Sequence, residues 1–273
     1  MKTRIVVGAI LVAVFVCMMV FGGYVFAAAL AFFAFVAVFE MGRAFREKGY
    51  EPFLIPAYVY AVLFPFANLL IGASVLLPLM LLAMMAVMIR FLFSEDRDVL
   101  KLLPSIAVLA YPLAFLTVLA PVYELKAYTD IGFSAALLAF AAPETADAFA
   151  YFGGTFFGKK KLWPELSPKK TVAGSISSVI GGALFGFLML LLQKLWGGSV
   201  SGWLLVPMGL LAGISAQFGD LFASSVKRWA GIKDFSTLFP GHGGVLDRID
   251  SILFTAPPVY FAFLLRILLN THC

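Results

Sequence analysis

Long, uninterrupted apolar stretches follow one another along almost the whole chain. A helix that crosses a bilayer needs about 20 mainly apolar residues. These stretches reach that length, and they lack the alternation of polar and apolar positions that marks the strands of an outer-membrane barrel. The pattern therefore predicts an all-α integral membrane protein with about nine transmembrane helices, near residues 4–22, 24–41, 53–70, 72–93, 102–122, 132–157, 172–196, 203–226 and 251–269.

Glycines mark two of the breaks between these helices. Gly22 and Gly23 divide an apolar block that is nearly twice as long as one crossing needs, and Asn68 and Gly72 mark a weaker boundary. The first stretch also resembles a secretory signal, because two basic residues precede it and small residues follow it. Its long apolar core, and the helix that follows at once, favour a retained span instead.

The composition agrees with a membrane protein, since 62% of the residues are hydrophobic and only 13% are charged. A soluble domain carries about 25% charged residues. The net charge of +5 needs no nucleic-acid partner, because basic cytoplasmic loops account for it. Two cysteines, Cys17 and Cys273, give no disulfide framework, and two histidines exclude a multi-histidine metal site.

The basic residues also predict the orientation of the chain. With the N-terminus in the cytoplasm and nine crossings, all but three of the 20 lysines and arginines fall in cytoplasmic loops or at cytoplasmic helix ends. The exceptions are Lys126, Lys194 and Arg266. By the positive-inside rule, the C-terminus is then outside, and the protein is expected in the inner (cytoplasmic) membrane with its active site facing the cytoplasm.

The two halves of the chain differ in polar content. Up to about residue 130 the spans have few polar interruptions, whereas intramembrane acids and clusters of glycine and charge come after it. We therefore expect residues 1–130 to form a transmembrane scaffold, and residues 131–273 to form a catalytic transmembrane region with cytoplasmic binding loops. No internal repeat is visible, which argues against an inverted-repeat transporter.

The densest polar cluster runs from residue 224 to residue 250. Glycines let a backbone approach a ligand closely, and cations beside them suit phosphate. Carboxylates next to such cations indicate a divalent metal, whereas a plain basic loop would explain the cations alone. The cations are Lys227, Arg228, Lys233 and Arg248, the carboxylates are Asp234, Asp247 and Asp250, and the glycines are Gly241, Gly243 and Gly244.

Two further acids lie within apolar runs, where carboxylates are costly. Asp220 shares a helical face with Ser224 and Lys227, which predicts a polar groove leading to the cytoplasmic loop. Asp147 lies one turn before Tyr151 on another predicted span. A polar contact between helices is the alternative explanation for Asp147 and for its neighbour Glu144, just as helix capping is for Asp250.

A basic segment precedes the helix that starts near residue 172. Ser167 and Pro168 are expected to form a turn, and Thr171 or Ser167 to cap the helix. Lys169 and Lys170 then lie at a helix N-terminus, where amides and the helix dipole favour the phosphate of a nucleotide or a lipid. An ordinary interfacial loop that binds anionic headgroups is the alternative.

These residues resemble the signature of phosphatidate cytidylyltransferases, also called CDP-diacylglycerol synthases. The match reads Ser-x-Val-Lys-Arg from Ser224, Lys-Asp-x-Ser from Lys233, and Phe-Pro-x-His-Gly-Gly-Val-x-Asp-Arg-Ile-Asp from residue 239 to Asp250. The segments 147–158 and 167–171 are also similar to the family, so the resemblance covers residues 144–251. One departure is Ala173, where the family usually has an acidic residue.

The resemblance implies that CTP and phosphatidate react to give CDP-diacylglycerol and pyrophosphate in phospholipid biosynthesis. It also implies Mg²⁺, a second cation such as K⁺, and a possible homodimer. We expect Asp220 and Asp247 to hold Mg²⁺ with Asp250 nearby, and the amides of Gly243 and Gly244 to face phosphate. Catalytic roles are expected for Asp220, Asp247, Lys227, Lys233, Asp234 and Arg248, and substrate contacts for Ser224, Arg228, His242, Gly243, Gly244, Lys169, Lys170, Ser167 and Asp147.

Two other functions stay open at this point. An ion-coupled transporter would also place Asp147 and Asp220 in the membrane, although it would not need the glycine-rich loop. A CTP-dependent kinase of polyprenol or phytol type would share the nucleotide and the membrane. The products separate the enzymes, because a kinase releases CDP and a nucleotidyltransferase releases pyrophosphate.

Overall fold

The computed structural model describes residues 2–95, 97–128 and 131–271, with side chains over 7–95, 97–125 and 131–269. Each of the nine predicted spans coincides with a helix or with a short run of helices, so the helical fold class is confirmed. The helices are α1 (Lys2–Phe21), α2 (Gly23–Arg46), α3 (Ile55–Ile71), α4 (Leu76–Leu92), α5 (Val99–Val108), α6 (Ala114–Tyr128), α7 (Ile131–Phe157), α8 (Val172–Leu192), α9 (Gly202–Ala230) and α10 (Leu246–Thr271).

Short irregular turns extend three of these elements. A 3₁₀ turn, Ala73–Val75, leads into α4, and another, Gln193–Trp196, follows α8. A single π-helical segment, Leu109–Leu113, joins α5 to α6.

Six helical stretches among the described residues are long and apolar enough to cross a membrane. The helices Val7–Phe21 and Ile55–Ile71 are apolar but shorter, and α7 is not among the six, since Glu144 and Asp147 lower its hydropathy. The count of nine crossings and the orientation of the termini therefore stay predictions. The six stretches are Gly23–Arg46, Ala73–Leu92, Val99–Leu125, Val172–Trp196, Gly202–Ala230 and Leu246–Leu269.

The two predicted glycine breaks are confirmed. Helix α1 ends at Phe21, and Gly22 and Gly23 take positive φ angles of 55° and 45° before the chain continues as α2. Gly72 ends α3 with a φ of 102°. Glycine adopts this left-handed region without a Cβ clash, so the chain can change direction at both points.

The chain forms two compact units. The first contains Met1–Ala120 and Val226–Arg248, and the second contains Pro121–Ser225 and Ile249–Cys273. The chain passes from one unit to the other three times, within α6, α9 and α10. The 231–245 loop, which connects α9 and α10, thus belongs to the same unit as the N-terminal helices. The functional division at residue 130 stays a prediction.

In the first unit, α2 and α3 pack against each other through small side chains. Ala34, Ala37 and Ala44 of α2 and Ala57 and Ala61 of α3 are completely buried. Small residues let helix backbones approach closely, which is the main source of packing energy where lipid replaces water.

In the second unit, α7 packs along α8, and glycines bring α8 against α9. A Cβ on Gly182 would collide with the backbone of Gly209, and a Cβ on Gly186 would collide with the backbone of Leu205. Gly181 lies against the side chain of Phe149. These α8 glycines therefore make contacts within the chain.

A β-hairpin connects α7 and α8. Strands β1 (Lys161–Trp163) and β2 (Ser167–Thr171) are antiparallel, and Trp163 pairs with Ser167. The predicted turn at Ser167 and Pro168 is therefore wrong, because the turn lies at residues 164–166. A two-stranded hairpin has only edge strands, so a proline is tolerated in β2. The predicted cap is confirmed, since Thr171 Oγ1 accepts a hydrogen bond of 3.1 Å from the Gly174 amide.

Candidate active site

The polar residues that the sequence singled out fall into two groups, each inside one compact unit. We name each group after its central aspartate. The Asp247 cluster of the first unit consists of Glu40, Lys227, Phe235, Ser236, Gly244 and Asp247. The Asp220 cluster of the second unit consists of Asp147, Lys170, Asp220, Ser224, Asp250 and Ser251.

Asp247 lies in the first turn of α10 and is only 8% exposed. Its Oδ1 accepts a hydrogen bond of 2.6 Å from Lys227 Nζ. Its Oδ2 accepts one of 2.8 Å from the Phe235 amide and one of 2.9 Å from the Gly244 amide. A carboxylate offers about four lone-pair positions, so protein donors already fill most of the hydrogen-bonding capacity of Asp247.

Lys227 comes from the last turn of α9 and is itself largely buried. Its ammonium lies 5.5 Å from the centroid of the Phe235 ring, within the range of a cation–π interaction. The ion pair between Lys227 and Asp247 is therefore a buried structural contact of the first unit.

Glu40 is a site residue that the sequence analysis missed. It lies in α2 and is completely buried. Its carboxylate accepts hydrogen bonds from the Ser236 hydroxyl and from the amides of Val245 and Leu246. The signal was present, because an ionisable residue inside an apolar span indicates a specific partner, but its neighbours along the chain carry no other polar motif.

The glycine pair of the 231–245 loop forms a tight turn. Gly243 has a φ of 85°, and its amide donates to the Phe239 carbonyl at 3.1 Å. The Gly244 amide donates to Asp247, as described above. The sequence predicts that both amides face a phosphate. In the structure, both amides instead donate to acceptors of the protein. Substrate contact by the two glycines stays a prediction.

The remaining charges of this loop and its flanks face outward. Lys233, Asp234 and Arg248 are exposed. Arg228 is also exposed, and it donates to the Ile232 carbonyl at 3.3 Å. His242 is half-buried, and its Nδ1 has no hydrogen-bond partner among the described residues. These exposed cations could meet an anionic substrate.

In the second unit, Asp220 has fewer protein partners than Asp247. Its Oδ2 lies 2.7 Å from Lys170 Nζ, and its Oδ1 accepts a hydrogen bond of 3.2 Å from Ser224. The Asp220 side chain is 34% exposed, and that of Lys170 is 23% exposed. The predicted shared face of Asp220 and Ser224 is confirmed. Lys170 reaches Asp220 from β2, just before the N-terminus of α8.

Asp147 and Asp250 join the same cluster through α10. Ser251 Oγ donates to Asp147 Oδ2 at 2.9 Å, and the Ser251 amide donates to Asp250 Oδ1 at 2.8 Å. A Cβ on Gly219 would collide with the Asp250 carbonyl oxygen. Helices α7, α9 and α10 therefore approach closely where Asp147, Asp220 and Asp250 lie.

Other residues of the segments that resemble the family are either packed or exposed. Gly154 and Gly158 lie against Thr171, so α7 closely contacts the end of the hairpin. Tyr151 is 69% exposed, although it shares the helix with Asp147. Lys169 is exposed and Ser167 is half-buried, both in β2. Ala173 lies in the first turn of α8.

The carboxylate oxygens of the Asp220 cluster are suitable ligands for Mg²⁺. This ion prefers oxygen ligands and is usually held by one or two carboxylates together with water and substrate phosphates. Asp220 is partly exposed and matches that requirement, whereas Asp247 is buried and already bonded to three donors. Among the described residues, no three Asp, Glu, His or Cys side chains form a group that could hold a metal without substrate oxygens.

Comparison with known proteins identifies the family. A family model described as the cytidylyltransferase family matches residues 2–266. The chain belongs to the cytidylyltransferase family. Both clusters and the 231–245 loop lie within the part of the chain that matches this family.

Several curated relatives carry the name phosphatidate cytidylyltransferase. The one from Thermotoga maritima is 35% identical over 175 residues, which cover 63% of this chain and 64% of the relative. The one from Synechocystis is 47% identical over 142 residues, covering 51% and 46%, and the one from Aquifex aeolicus is 40% identical over 156 residues, covering 57% and 55%. The chain thus spans about half to two-thirds of the length of these relatives.

Proposed function

We propose that this chain is a phosphatidate cytidylyltransferase, which transfers a cytidylyl group from CTP to phosphatidate. The observation that carries the proposal is the match to the cytidylyltransferase family over residues 2–266. The names of the similar proteins support the choice of phosphatidate as the acceptor. The two clusters provide the cations and carboxylates that such a reaction needs.

The reaction requires neutralisation of charge more than an activated nucleophile. An anionic phosphate oxygen of phosphatidate attacks the α-phosphorus of CTP. A new P–O bond forms, the bond to the bridging oxygen breaks, and pyrophosphate leaves. The attacking oxygen is already charged, so the protein must bring two anions together and align them in line. No serine or cysteine nucleophile is needed.

We assign the exposed cations of the first unit to the phosphates of CTP. Arg228, Lys233 and Arg248 are accessible and lie in or beside the 231–245 loop. Lys227 holds the Asp247 carboxylate, which in turn bonds to two amides of the 231–245 loop. Lys170 and Lys169 of the hairpin are assigned to phosphate on either substrate. Hydrogen-bonding contacts from Ser167, Ser224, His242 and Asp147 complete the proposed set.

Mg²⁺ is proposed to bind at Asp220, where it would neutralise charge on the CTP phosphates and the leaving group. The Lys170 ammonium that now pairs with Asp220 would become available to a phosphate. Asp247 and Asp250 were also predicted as ligands, and this stays a prediction, as does a second cation such as K⁺. Asp234 stays a predicted catalytic residue.

The membrane arrangement follows from the two substrates. Phosphatidate keeps its acyl chains in the bilayer, and CTP is dissolved in the cytosol. We therefore propose an active site open to the cytoplasm. The apolar stretches and the basic residues of the sequence support nine crossings of the inner membrane, with a cytoplasmic N-terminus and an outer C-terminus. This orientation places most lysines and arginines inside. A homodimer stays a prediction.

Pyrophosphate release tests the function directly. The purified protein in detergent is given phosphatidate, Mg²⁺ and CTP, with ATP in place of CTP and with lipid omitted as controls. Release that requires both CTP and phosphatidate supports the proposal. Release of CDP instead would indicate a kinase, and no turnover by a monodisperse protein would contradict the proposal.

A further inference from the structure

Glu40 is a buried acid in α2, an apolar helix long enough to cross a membrane. It has no exposed surface, and most of the other residues of its helix α2 are alanine, phenylalanine or valine. A carboxylate is costly to bury unless donors surround it. The contacts of Glu40 therefore indicate what the side chain is for.

Among the described residues, the Glu40 carboxylate accepts three hydrogen bonds, and all three donors lie in the distant segment 236–246. Its Oε1 accepts from Ser236 Oγ at 2.5 Å and from the Val245 amide at 2.9 Å. Its Oε2 accepts from the Leu246 amide at 2.7 Å. Ser236 Oγ also accepts from the Leu238 amide, so the hydroxyl proton is left for Glu40.

Two of these donors belong to the start of α10. The first amides of a helix have no partner within it and form the positive end of its dipole. Glu40 satisfies the amides of Val245 and Leu246 at once, and so caps α10 from another helix. It fixes both the direction in which α10 begins and the end of the loop before it.

Gly244 is shaped by the same contact. A Cβ at this position would collide with Glu40 Oε1 and would lie 2.6 Å from Glu40 Cδ. The buried carboxylate therefore requires a residue without a side chain at position 244. One glycine that the sequence suggested for phosphate binding is explained here by its contact with Glu40.

Glu40 and Asp247 hold the same short segment through different donors. The consecutive amides of Gly244, Val245 and Leu246 donate to Asp247, Glu40 and Glu40 in turn. Asp247 additionally binds Lys227 and the Phe235 amide. Loss of either carboxylate would release donors on a loop whose exposed residues include Lys233 and Asp234.

We propose that Glu40 is a positioning residue for cytidylyl transfer. Its side chain is completely buried and bonded to donors of the protein itself. It holds the 231–245 loop and the start of α10 so that the Lys227–Asp247 pair and the exposed cations keep one arrangement. This inference rests on the proposed function for its activity readout, but its structural part can be measured separately.

The activity test replaces Glu40 with glutamine, which has the same size. Glu40→Gln removes the charge and turns an amide NH₂ toward at least one backbone N–H. We expect kcat for pyrophosphate release to fall roughly 10- to 100-fold, as when catalytic groups are displaced by about 1 Å. Glu47→Gln is the matched control, because Glu47 ends the same helix, is 45% exposed and pairs only loosely with Arg43 at 3.5 Å. It should change kcat less than about twofold.

Hydrogen exchange measured by mass spectrometry provides the readout that does not depend on activity. In Glu40→Gln, peptides covering residues 236–246 should exchange roughly tenfold faster, and peptides from α8 should be unchanged. A general loss of stability would raise exchange in both. Ser236→Ala removes a single donor and should cause a smaller change in the same peptides. It replaces Glu40→Gln as the test variant if Glu40→Gln does not fold.

The outcomes separate the two proposals. If the wild-type protein releases no pyrophosphate, the proposed function fails whatever the exchange shows. If the wild type is active and Glu40→Gln keeps kcat within about twofold, with unchanged exchange over 236–246, the positioning role is overturned. Faster local exchange together with the loss of kcat supports it.

Discussion

The two clusters use the same pair of residue types, an aspartate and a lysine, in opposite ways. Asp247 is 8% exposed and bonds to Lys227 and to two backbone amides. Asp220 is 34% exposed at its side chain and bonds to Lys170 and to one serine. The first aspartate is enclosed by donors from α9 and from the 231–245 loop, whereas the second is partly exposed and has a partly exposed cationic partner.

This difference suggests a division of tasks. A buried ion pair that is bonded to further protein donors defines a local structure, because removing one partner leaves an uncompensated charge. A partly exposed pair contributes little to stability but can exchange its partner for a ligand. We therefore expect changes at Asp247 to affect folding and activity together, and changes at Asp220 to affect activity alone.

The largest effect is expected from Asp220→Ala. If this carboxylate binds Mg²⁺, its loss should lower the rate of pyrophosphate release by about 10²- to 10³-fold or more, as for other groups that stabilise charge during reaction. The melting temperature in detergent should hardly change, because the side chain is partly exposed. Ser224→Ala removes the neighbouring hydroxyl as a control and should cost far less activity. Near-normal turnover by Asp220→Ala would contradict the metal assignment.

The second prediction concerns the enclosed aspartate. Asp247→Ala leaves Lys227 buried without its partner and frees two backbone amides, so we expect a loss of about 3–5 kcal/mol in the free energy of unfolding. Thermal unfolding in detergent would show it as a clear drop in melting temperature. The double variant Lys227→Met with Asp247→Asn should be less destabilised than Asp247→Ala, because neither member of the pair then leaves the other as an unpaired buried charge. Equal melting temperatures for Asp247→Ala and Asp220→Ala would remove the distinction between the clusters.

Much of this fold could be predicted from the sequence, because lipid imposes a simple rule of length and hydropathy on each helix. The breaks at Gly22 and Gly72 followed from the same rule and from the freedom of glycine. The turn misplaced at Ser167 shows the limit, since the pairing of two short strands depends on partners that a local pattern does not reveal.

The candidate site was only partly predictable for a related reason. The aspartates and lysines stood out because charge is rare in this chain. Which oxygen bonds to which donor depends on contacts between residues far apart in sequence. Glu40 lies about 200 positions from its donors, so no local motif could connect them. Its role depends on the three-dimensional contacts that place the loop and the start of α10 against its carboxylate.

A third prediction tests the close approach of α9 to α10 in the Asp220 cluster. In Gly219→Ala, the new Cβ would lie 2.9 Å from the Asp250 carbonyl carbon and 3.1 Å from Ser251 Cα, and neither backbone atom can move cheaply. We expect a loss of about 1–3 kcal/mol, measured by thermal unfolding, together with reduced activity because Asp220 is displaced. Gly202→Ala is the control, since its neighbour is the flexible Leu190 side chain. Similar melting temperatures for the two variants would show that the helices do not approach this closely.

The smallest effect on stability is expected at Lys170, the partner of the exposed aspartate. Lys170→Met removes an ion pair whose side chains are 23% and 34% exposed, and solvent screens such pairs, so the free energy of unfolding should change by less than about 1 kcal/mol. Activity should nevertheless fall, mainly through a higher KM, if the ammonium transfers to a substrate phosphate. Lys169→Met, at an exposed neighbouring position, measures the effect of removing a charge from the same strand. If Lys170→Met lowered the melting temperature as much as Asp247→Ala does, the Asp220 pair would be structural like the other, and the division of tasks between the clusters would fail.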